Sequence, residues 1–263
     1  MAKPHKSRRE WIDSCEFLPL SNVEVLRQVH TAIRNDREKK SQPVLLLDLD
    51  STLYHVESRS HQILKEWLAD PESRKFGALR DRIAEIESEH LGYSMLDTFT
   101  KFGLSVMEPG VEDALSSIGK FWGRRFFTNE YLAYDRAYEG APEFVREAHE
   151  LGAEIVYLTG RDEPGMGKGT RERLMADRFP FEIPRTRLLL KQNFKHDDLD
   201  HKSKAAEEVR KIGNLIASFE NEAPNLIALS DLFPSGMHVF VDTVMSDRPA
   251  PPKAGLYRIT GFR

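Results

Sequence analysis

The spacing of apolar residues along the chain switches between a helical pattern and a strand pattern. From 21 to 40 an apolar residue recurs every three or four positions, and Ser21 or Asn22 is placed to cap the helix that this predicts. After Pro43, the run from 44 to 47 is entirely apolar. A strand that is apolar on both faces is typical of the centre of a parallel sheet covered by helices.

From residue 139 onward, helical and strand patterns alternate. Apolar runs predict strands at 154–158, 185–191, 215–219 and 237–243, the last of these being the final strand, with helices between them. Such alternation favours an α/β fold, a doubly wound parallel sheet with a Rossmann-like core. Residues 1–20 are expected to be loosely ordered, and the proline-rich segment 248–255 to be a solvated tail.

The stretch from 56 to 138 has a different pattern. It is rich in amphipathic helical segments and has no convincing strand before Phe121. We therefore expect two parts: an α/β core made of residues 1–55 and 139–263, and a helical cap of residues 56–138 inserted after the first core strand.

Composition narrows the class of protein. The 263 residues are 40% hydrophobic and 30% charged, and the net charge is −4, so no overall basic field would attract nucleic acid. No apolar stretch is long enough to span a membrane, and no signal-peptide core follows the basic N-terminus. The single cysteine excludes an internal disulfide and a cysteine-rich zinc site. The sequence predicts a cytoplasmic protein without nucleic-acid or membrane partners, and leaves the oligomeric state open.

Three of the predicted strands end in polar residues at the point where the apolar run stops. The first leads into Asp48 and Asp50, the second into Thr159, Gly160 and Arg161, and the third into Glu220 and Glu222. The carboxyl ends of parallel strands share one edge of the sheet, where ligands bind at the switch point. We therefore expect these tips to meet.

Four carboxylates and a hydroxyl form an oxygen-rich cluster that suits Mg²⁺ better than zinc. One carboxylate can serve as a nucleophile and a neighbour as general acid and base. Such a cluster could position a phosphoryl group and neutralise its charge. For each strand tip taken alone, the alternative is a solvated turn, or acids that favour a helix N-terminus in the case of Glu220 and Glu222.

Four segments, in this order, resemble the motifs of the haloacid dehalogenase superfamily of phosphohydrolases. They are "DLDSTL" (48–53), "YLTGR" (157–161), the lysine of "HKSK" (201–204) and "FENE" (219–222). The resemblance covers roughly residues 44–242 and the preceding helix. It implies a core with an inserted cap that closes over the site.

The resemblance also implies a role for each matching residue. Asp48 would be the nucleophile that forms an aspartyl-phosphate, and Asp50 the general acid and base. Thr159, with Gly160, and Lys202 would bind the phosphate. Asp48, the backbone carbonyl of Asp50, and Glu220 would hold Mg²⁺.

Two departures from the family pattern leave alternatives open. The fourth motif carries glutamates where aspartates are more common, so either Glu220 or Glu222 could bind the metal. The third motif has Lys202 and Lys204, which point to different faces of a helix, so only one can serve.

Several other residues have weaker signals. "GMGKGT" (165–170) does not match a phosphate-binding loop and is predicted to be a flexible loop leading into a helix. Cap side chains near the hinge could contact substrate or simply pack, as could His55; those of the cap are Arg124, Arg125, Tyr131, Tyr134 and Tyr138.

The sequence thus favours a Mg²⁺-dependent phosphatase acting on a small-molecule phosphate monoester. The second aspartate argues against dehalogenase chemistry. A phosphomutase or a protein phosphatase of the same superfamily remains an alternative, although a cap of about 80 residues would obstruct a protein substrate. A non-catalytic binding protein on this fold is the rival of a different class.

Overall fold

The computed structural model of the protein describes residues 8–195 and 198–263, without the side chains of residues 198–200, 202 and 203. The strands are β1 Glu16–Phe17, β2 Pro43–Leu47, β3 Tyr54–His55, β4 Arg136–Ala137, β5 Glu154–Asp162, β6 Thr186–Lys191, β7 Asn214–Glu220, β8 Met237–Val241 and β9 Ala254–Ile259. The helices are α1 Arg8–Ser14, α2 Asn22–Glu38, α3 Glu57–Ala69, α4 Gly77–Ile83, α5 Met95–Lys101, α6 Val111–Gly123, α7 Ala141–Glu150, α8 Glu163–Ala176, α9 Asp198–Ile212 and α10 Ala223–Leu232.

Seven of the strands form one parallel sheet in the order β1-β9-β8-β7-β2-β5-β6. β2 is buried along its whole length because both of its faces are covered. Leu45 and Leu47 pack with residues of α2 and α7, whereas Val44 and Leu46 pack with residues of α9 and α10. Helices thus lie on both faces of the sheet, and the predicted doubly wound α/β core is confirmed.

The predicted first helix has the capping signal that the sequence suggested. Ser21 accepts a hydrogen bond from the backbone N–H of Glu24, and the Glu24 carboxylate accepts one from the backbone N–H of Ser21. The buried face of α2 contains Val25, Leu26, Val29 and Ile33 and packs on the sheet. This helix prediction is confirmed.

Residues 57–134 form helices and 3₁₀ turns that have a hydrophobic cluster of their own. The cluster includes Ile63, Trp67, Phe99 and Phe121 and is separate from the clusters beneath the sheet. The antiparallel pair β3–β4 marks where the chain leaves the sheet region and returns to it. This segment corresponds to the predicted cap, whose exact limits at 55/56 and 138/139 stay a prediction.

The N-terminal expectation was wrong for the residues that the structure describes. Trp11 of α1 is 1% exposed, and its Nε1 donates a hydrogen bond to the carbonyl of Pro251 at 3.0 Å. Ala250 is buried in the same cluster. The segment 248–255 is therefore anchored to α1 at Ala250 and Pro251, although most of its residues are exposed as predicted. It leads into β9, so β8 is not the last strand.

The predicted flexible loop at 165–170 is also wrong. This segment belongs to α8, which begins at Glu163 with Asp162 as its N-cap. Its glycines allow the helix to approach the cap: a Cβ atom on Gly169 would lie 2.5 Å from the carbonyl oxygen of Asn129. In the described part of the chain, no helix has the length and hydropathy needed to cross a membrane.

Candidate active site

The carboxyl ends of β2, β5 and β7 lie side by side. β2 pairs with β5 on one side and β7 on the other, and the backbone N–H of Asp48 donates to the carbonyl of Phe219 at 3.1 Å. The chain runs from β2 towards β5 and later from β7 towards β8, so the switch point lies between β2 and β7. A cavity of about 580 Å³ opens there, and Asp48, Asp50 and Glu220 line it.

The turn after β2 positions the two aspartates. Ser51 has a left-handed backbone with φ of 58°, which is costly for a residue with a side chain, and its N–H donates to the carbonyl of Tyr54 at 2.8 Å. The buried Thr52 hydroxyl lies 3.0 Å from Asp48 Oδ2 and 3.1 Å from Asn221 Oδ1. Thr52 therefore fixes the Asp48 carboxylate and ties the first motif to the fourth.

Two buried arginines hold Asp50. Arg59 of α3 donates from Nη2 to Asp50 Oδ1 at 3.0 Å, and Arg161 of β5 donates from Nε to the same oxygen at 3.1 Å. Asp135 accepts from Arg59 Nε at 2.8 Å and from Arg161 Nη2 at 2.8 Å. Arg59 and Asp135 come from the cap segment and Arg161 from the sheet. We call these four residues the arginine clamp.

The arginine clamp determines the charge state of Asp50. Burial alone would raise the pKa of this carboxyl, but the charges of Arg161 and Arg59 outweigh burial and hold the pKa well below its ordinary value. Burial in turn would lower the pKa of Arg161, yet Asp50 and Asp135 raise it above the ordinary value. Asp50 is therefore a carboxylate at neutral pH.

The tip of β5 contributes Gly160 and Arg161 to the cavity wall. Thr159 is 1% exposed, does not line the cavity, and accepts a hydrogen bond from the backbone N–H of Arg161 at 3.3 Å. The structure thus brings Gly160 next to the carboxylates. The phosphate-binding roles of Thr159 and Gly160 stay predictions.

The two glutamates of the fourth motif have different surroundings. Both line the cavity, but the Glu222 carboxylate is already engaged, because it accepts hydrogen bonds from the backbone N–H of Ser246 at 2.9 Å and from Arg248 Nη2 at 3.1 Å. Glu220 is 1% exposed at the end of β7, next to the Asp48 strand. This geometry favours Glu220 over Glu222 as a metal ligand.

The structure does not decide which lysine of the third motif serves the site. The side chain of Lys202 lies outside the described residues, and Lys204 is exposed on α9. Lys191, at the end of β6, is 6% exposed and lines the cavity. It was not among the predicted site residues, although it follows an apolar strand in the same way as Asp48 does.

The donor atoms present fit Mg²⁺. Asp48 and Glu220 supply carboxylate oxygens from adjacent strands, and Asn225 Oδ1, on the wall of the same cavity, is buried with no hydrogen-bond partner among the described residues. Within the described residues, no three His, Cys, Asp or Glu side chains are grouped so that they alone could hold a metal ion. A site here therefore needs main-chain, amide or water oxygens as well, which is usual for Mg²⁺.

The cap residues considered from the sequence do not line this cavity. Arg124, Arg125 and Tyr131 line a separate groove of about 1560 Å³ on the cap. Tyr138 packs against His55 with ring centroids 3.6 Å apart, and neither of these residues nor Tyr134 lines the cavity. The cap instead presents Trp122, Phe126 and Phe127 to it. Those aromatic residues belong to an apolar run whose orientation the sequence alone does not reveal.

Comparison with solved structures shows the fold. The chain is similar to a candidate phosphatase from Clostridium difficile, with 11% identity, a TM-score of 0.51, and 84% of this chain and 94% of that chain covered. A predicted phosphatase from Clostridium acetobutylicum matches at 13% identity and TM-score 0.46, covering 82% and 94% of the two chains. A haloacid dehalogenase-like family hydrolase from Streptococcus pneumoniae matches at 8% identity and TM-score 0.45, covering 81% and 93%.

Comparison by sequence gives no match, either to a family model or to a curated protein. The fold is nevertheless shared with the Clostridium difficile structure: a seven-stranded parallel sheet with helices on both faces and a helical segment inserted between β2 and β5. The predicted α/β fold with an inserted helical segment is confirmed, and membership of the haloacid dehalogenase superfamily stays a prediction.

Proposed function

We propose that this protein is a Mg²⁺-dependent phosphatase that hydrolyses a small-molecule phosphate monoester through an aspartyl-phosphate on Asp48. The observation that carries the proposal is the meeting of Asp48, Asp50 and Glu220 at the switch point of the sheet, on one cavity. A volume of about 580 Å³ suits a small ligand. The cap segment over the cavity would obstruct a folded protein substrate.

The proposed reaction has two displacements at phosphorus. A carboxylate oxygen of Asp48 attacks, the bond from phosphorus to the ester oxygen breaks, and that oxygen takes a proton from Asp50. A water molecule then attacks the aspartyl-phosphate, Asp50 takes up its proton, and the bond from phosphorus to the Asp48 oxygen breaks. Inorganic phosphate and the free carboxylate of Asp48 are the products.

Mg²⁺ would be held by Asp48, the backbone carbonyl of Asp50, and Glu220, and it would offset the negative charge that the phosphate brings to these carboxylates. Lys202, as predicted from the sequence, or Lys191, which lines the cavity, would neutralise the phosphoryl oxygens. Gly160 would offer its backbone N–H at the tip of β5. A cytoplasmic location without nucleic-acid or membrane partners stays the prediction made from the sequence.

One observation favours a second candidate, a non-catalytic binding protein. The arginine clamp stabilises Asp50 as a carboxylate, whereas the first displacement requires its protonated form. An enzyme must therefore protonate Asp50 although the charges of Arg59 and Arg161 favour its carboxylate form. A protein that only binds phosphate compounds would not need to do so.

The test is release of inorganic phosphate from p-nitrophenyl phosphate, with Mg²⁺ and with a chelator, by wild type and Asp48→Asn. We expect turnover that requires the metal and falls by at least about 10³-fold in Asp48→Asn. Glu163→Gln, an exposed carboxylate outside the cavity, is the matched control and should retain wild-type turnover. Wild-type turnover no higher than that of Asp48→Asn would count against catalysis and favour the binding protein.

A further inference from the structure

The cap side of the cavity has an aromatic wall made of Trp122, Phe126 and Phe127, which the loop residue Phe194 extends. The Trp122 and Phe126 rings stack with centroids 4.1 Å apart. Phe127 packs edge-on against Phe126 at 5.0 Å and against Phe194 at 5.0 Å. The wall thus runs without a break from the cap segment to the end of β6.

Two of the polar groups beside this wall already have partners within the cap. The Trp122 indole N–H donates to Ser60 Oγ at 3.1 Å, and Ser94 Oγ accepts from the backbone N–H of Asp97 at 3.1 Å as the cap of α5. A sugar or another polyhydroxylated leaving group would place hydroxyl groups against the faces of these rings, which offer them no hydrogen-bond partner. An apolar ring would meet no such cost.

The charged residues on the cap side also favour an uncharged leaving group. No lysine or arginine of residues 56–138 lines the cavity, and the one charged cap residue that does so is Glu57. Glu57 lies one helical turn before Ser60 on the same face of α3, and its Oε2 is buried without a hydrogen-bond partner among the described residues. The cations on the cavity wall, Arg161, Lys191 and Arg248, belong to the core. The cap side thus offers no lysine or arginine to a second phosphate or a carboxylate on the leaving group, so such a group is disfavoured there.

We infer that the substrate is a phosphate monoester whose leaving group is a flat aromatic ring without negative charge, bound against Trp122, Phe126 and Phe127. This inference rests on the proposed function and names the substrate class of the same site. Aromatic side chains bind rings by offset stacking and edge contacts, and both arrangements already occur within this wall.

The tryptophans provide a readout that does not depend on turnover. Trp11 and Trp67 are each 1% exposed and lie outside the cavity, whereas Trp122 lines it. We would titrate phenylphosphonate and methylphosphonate in the presence of Mg²⁺ and record tryptophan fluorescence, with calorimetry as a second measure of affinity. Both compounds carry the same phosphoryl group, so the ratio of their affinities isolates the ring.

We expect phenylphosphonate to bind at least about tenfold more tightly than methylphosphonate and to change the fluorescence. Trp122→Phe should abolish the fluorescence change while calorimetry still detects binding. Phe127→Ala should reduce the affinity ratio. Phe102→Ala, which removes a partly buried cap ring that does not line the cavity, should leave the ratio unchanged.

The outcomes separate this inference from the proposed function. The aromatic substrate class would be overturned by equal affinities for the two phosphonates, or by equal hydrolysis of phenyl phosphate and glucose 6-phosphate. Neither result would contradict the proposed phosphatase activity. Binding of neither phosphonate would overturn the phosphoryl site itself, and with it this inference.

Discussion

At the scale of single residues, the arginine clamp is the feature that sets the behaviour of the candidate site. Asp50 faces two guanidinium groups, one from the cap segment and one from the sheet, and shares both of them with Asp135. Removing one partner of a buried charge network leaves the others without compensation. The clamp therefore links the ionisation of Asp50 to the stability of the fold.

The first prediction concerns how stability depends on pH. The folded-state pKa of Asp50 lies below the ordinary value of 3.8, so the stabilisation that it provides is fully present above that value and is lost as the pH falls below it. We expect Asp50→Asn to lower the free energy of unfolding by about 1.5–3 kcal/mol at pH 7. The difference from wild type should narrow as the pH falls below about 4.

Urea unfolding between pH 7 and pH 3 measures this difference. Glu163→Gln is the control, because it removes one partner of the exposed pair with Arg171 and should cost less than about 1 kcal/mol. If the difference in the free energy of unfolding between wild type and Asp50→Asn stays constant down to pH 3, the arginines do not act on the ionisation of Asp50.

The sequence revealed some of these residues and concealed others for a physical reason. Asp48, Asp50, Gly160 and Glu220 each follow an apolar strand, so a local pattern is enough to place them at one edge. Lys191 has the same local signal and could have been found by the same rule. Arg59 and Asp135 have no local signal, because they lie on a helix and a turn separated by 76 positions and meet only in the folded cap.

At the scale of elements, the contact between α8 and the cap explains what the glycine-rich segment 165–170 does. The backbone N–H of Gly169 donates to Asn129 Oδ1 at 2.7 Å, and Asn129 begins the 3₁₀ turn Asn129–Tyr134. Three glycines within a helix lower its intrinsic stability and made the segment look like a loop. Tertiary packing against the cap outweighs that local preference.

The second prediction compares two glycine-to-alanine changes in helices. Alanine at Gly169 should gain up to about 1 kcal/mol of helix propensity, but its Cβ would lie 2.5 Å from the Asn129 carbonyl oxygen. We expect a net loss of about 1–3 kcal/mol in the free energy of unfolding.

The matched control is Gly119→Ala in α6, where an added Cβ would have no neighbour within 4 Å. That change should stabilise the protein by about 0.5–1 kcal/mol, since only the propensity gain applies. Thermal or urea unfolding of both variants gives the comparison. Stabilisation by both changes would mean that α8 does not pack closely against the cap.

The edge of the sheet shows where pattern reading fails at this scale. β9 is buried only at Leu256 and Ile259, and it contains Gly255, so its alternation is too irregular to predict a strand. Its order depends on its two neighbours: it pairs with β8 on one side and with β1 on the other. The core strands β2, β5 and β7 were predictable because each is a nearly continuous apolar run.

At the scale of the whole molecule, the cap and the sheet have separate hydrophobic clusters that specific contacts join. The cap cluster around Trp67 and Phe99 is separate from the clusters of the sheet. The pair β3–β4, the packing of α8 and the arginine clamp connect the two regions. Arg59 is the cap residue that reaches Asp50, so the position of the cap and the geometry of the site are physically linked.

The last prediction tests that link by replacing Arg59 with methionine, which keeps most of the side-chain volume. Losing one partner of the buried network should lower the free energy of unfolding by about 3–5 kcal/mol and weaken the connection between cap and sheet.

Trp67 and Trp122 lie in the cap and Trp11 beside the sheet, so fluorescence reports mainly on the cap, whereas far-ultraviolet circular dichroism reports on both regions. In wild type we expect coincident thermal transitions, and in Arg59→Met a fluorescence midpoint below that of circular dichroism. Arg80→Met is the control, because the hydrogen bonds and the ion pair that the structure shows for Arg80, to Leu68, Ser73 and Asp81, lie within the cap. Its two transitions should shift together. Coincident transitions in Arg59→Met would show that the remaining contacts are enough to couple cap and sheet, and that Arg59 serves the site alone.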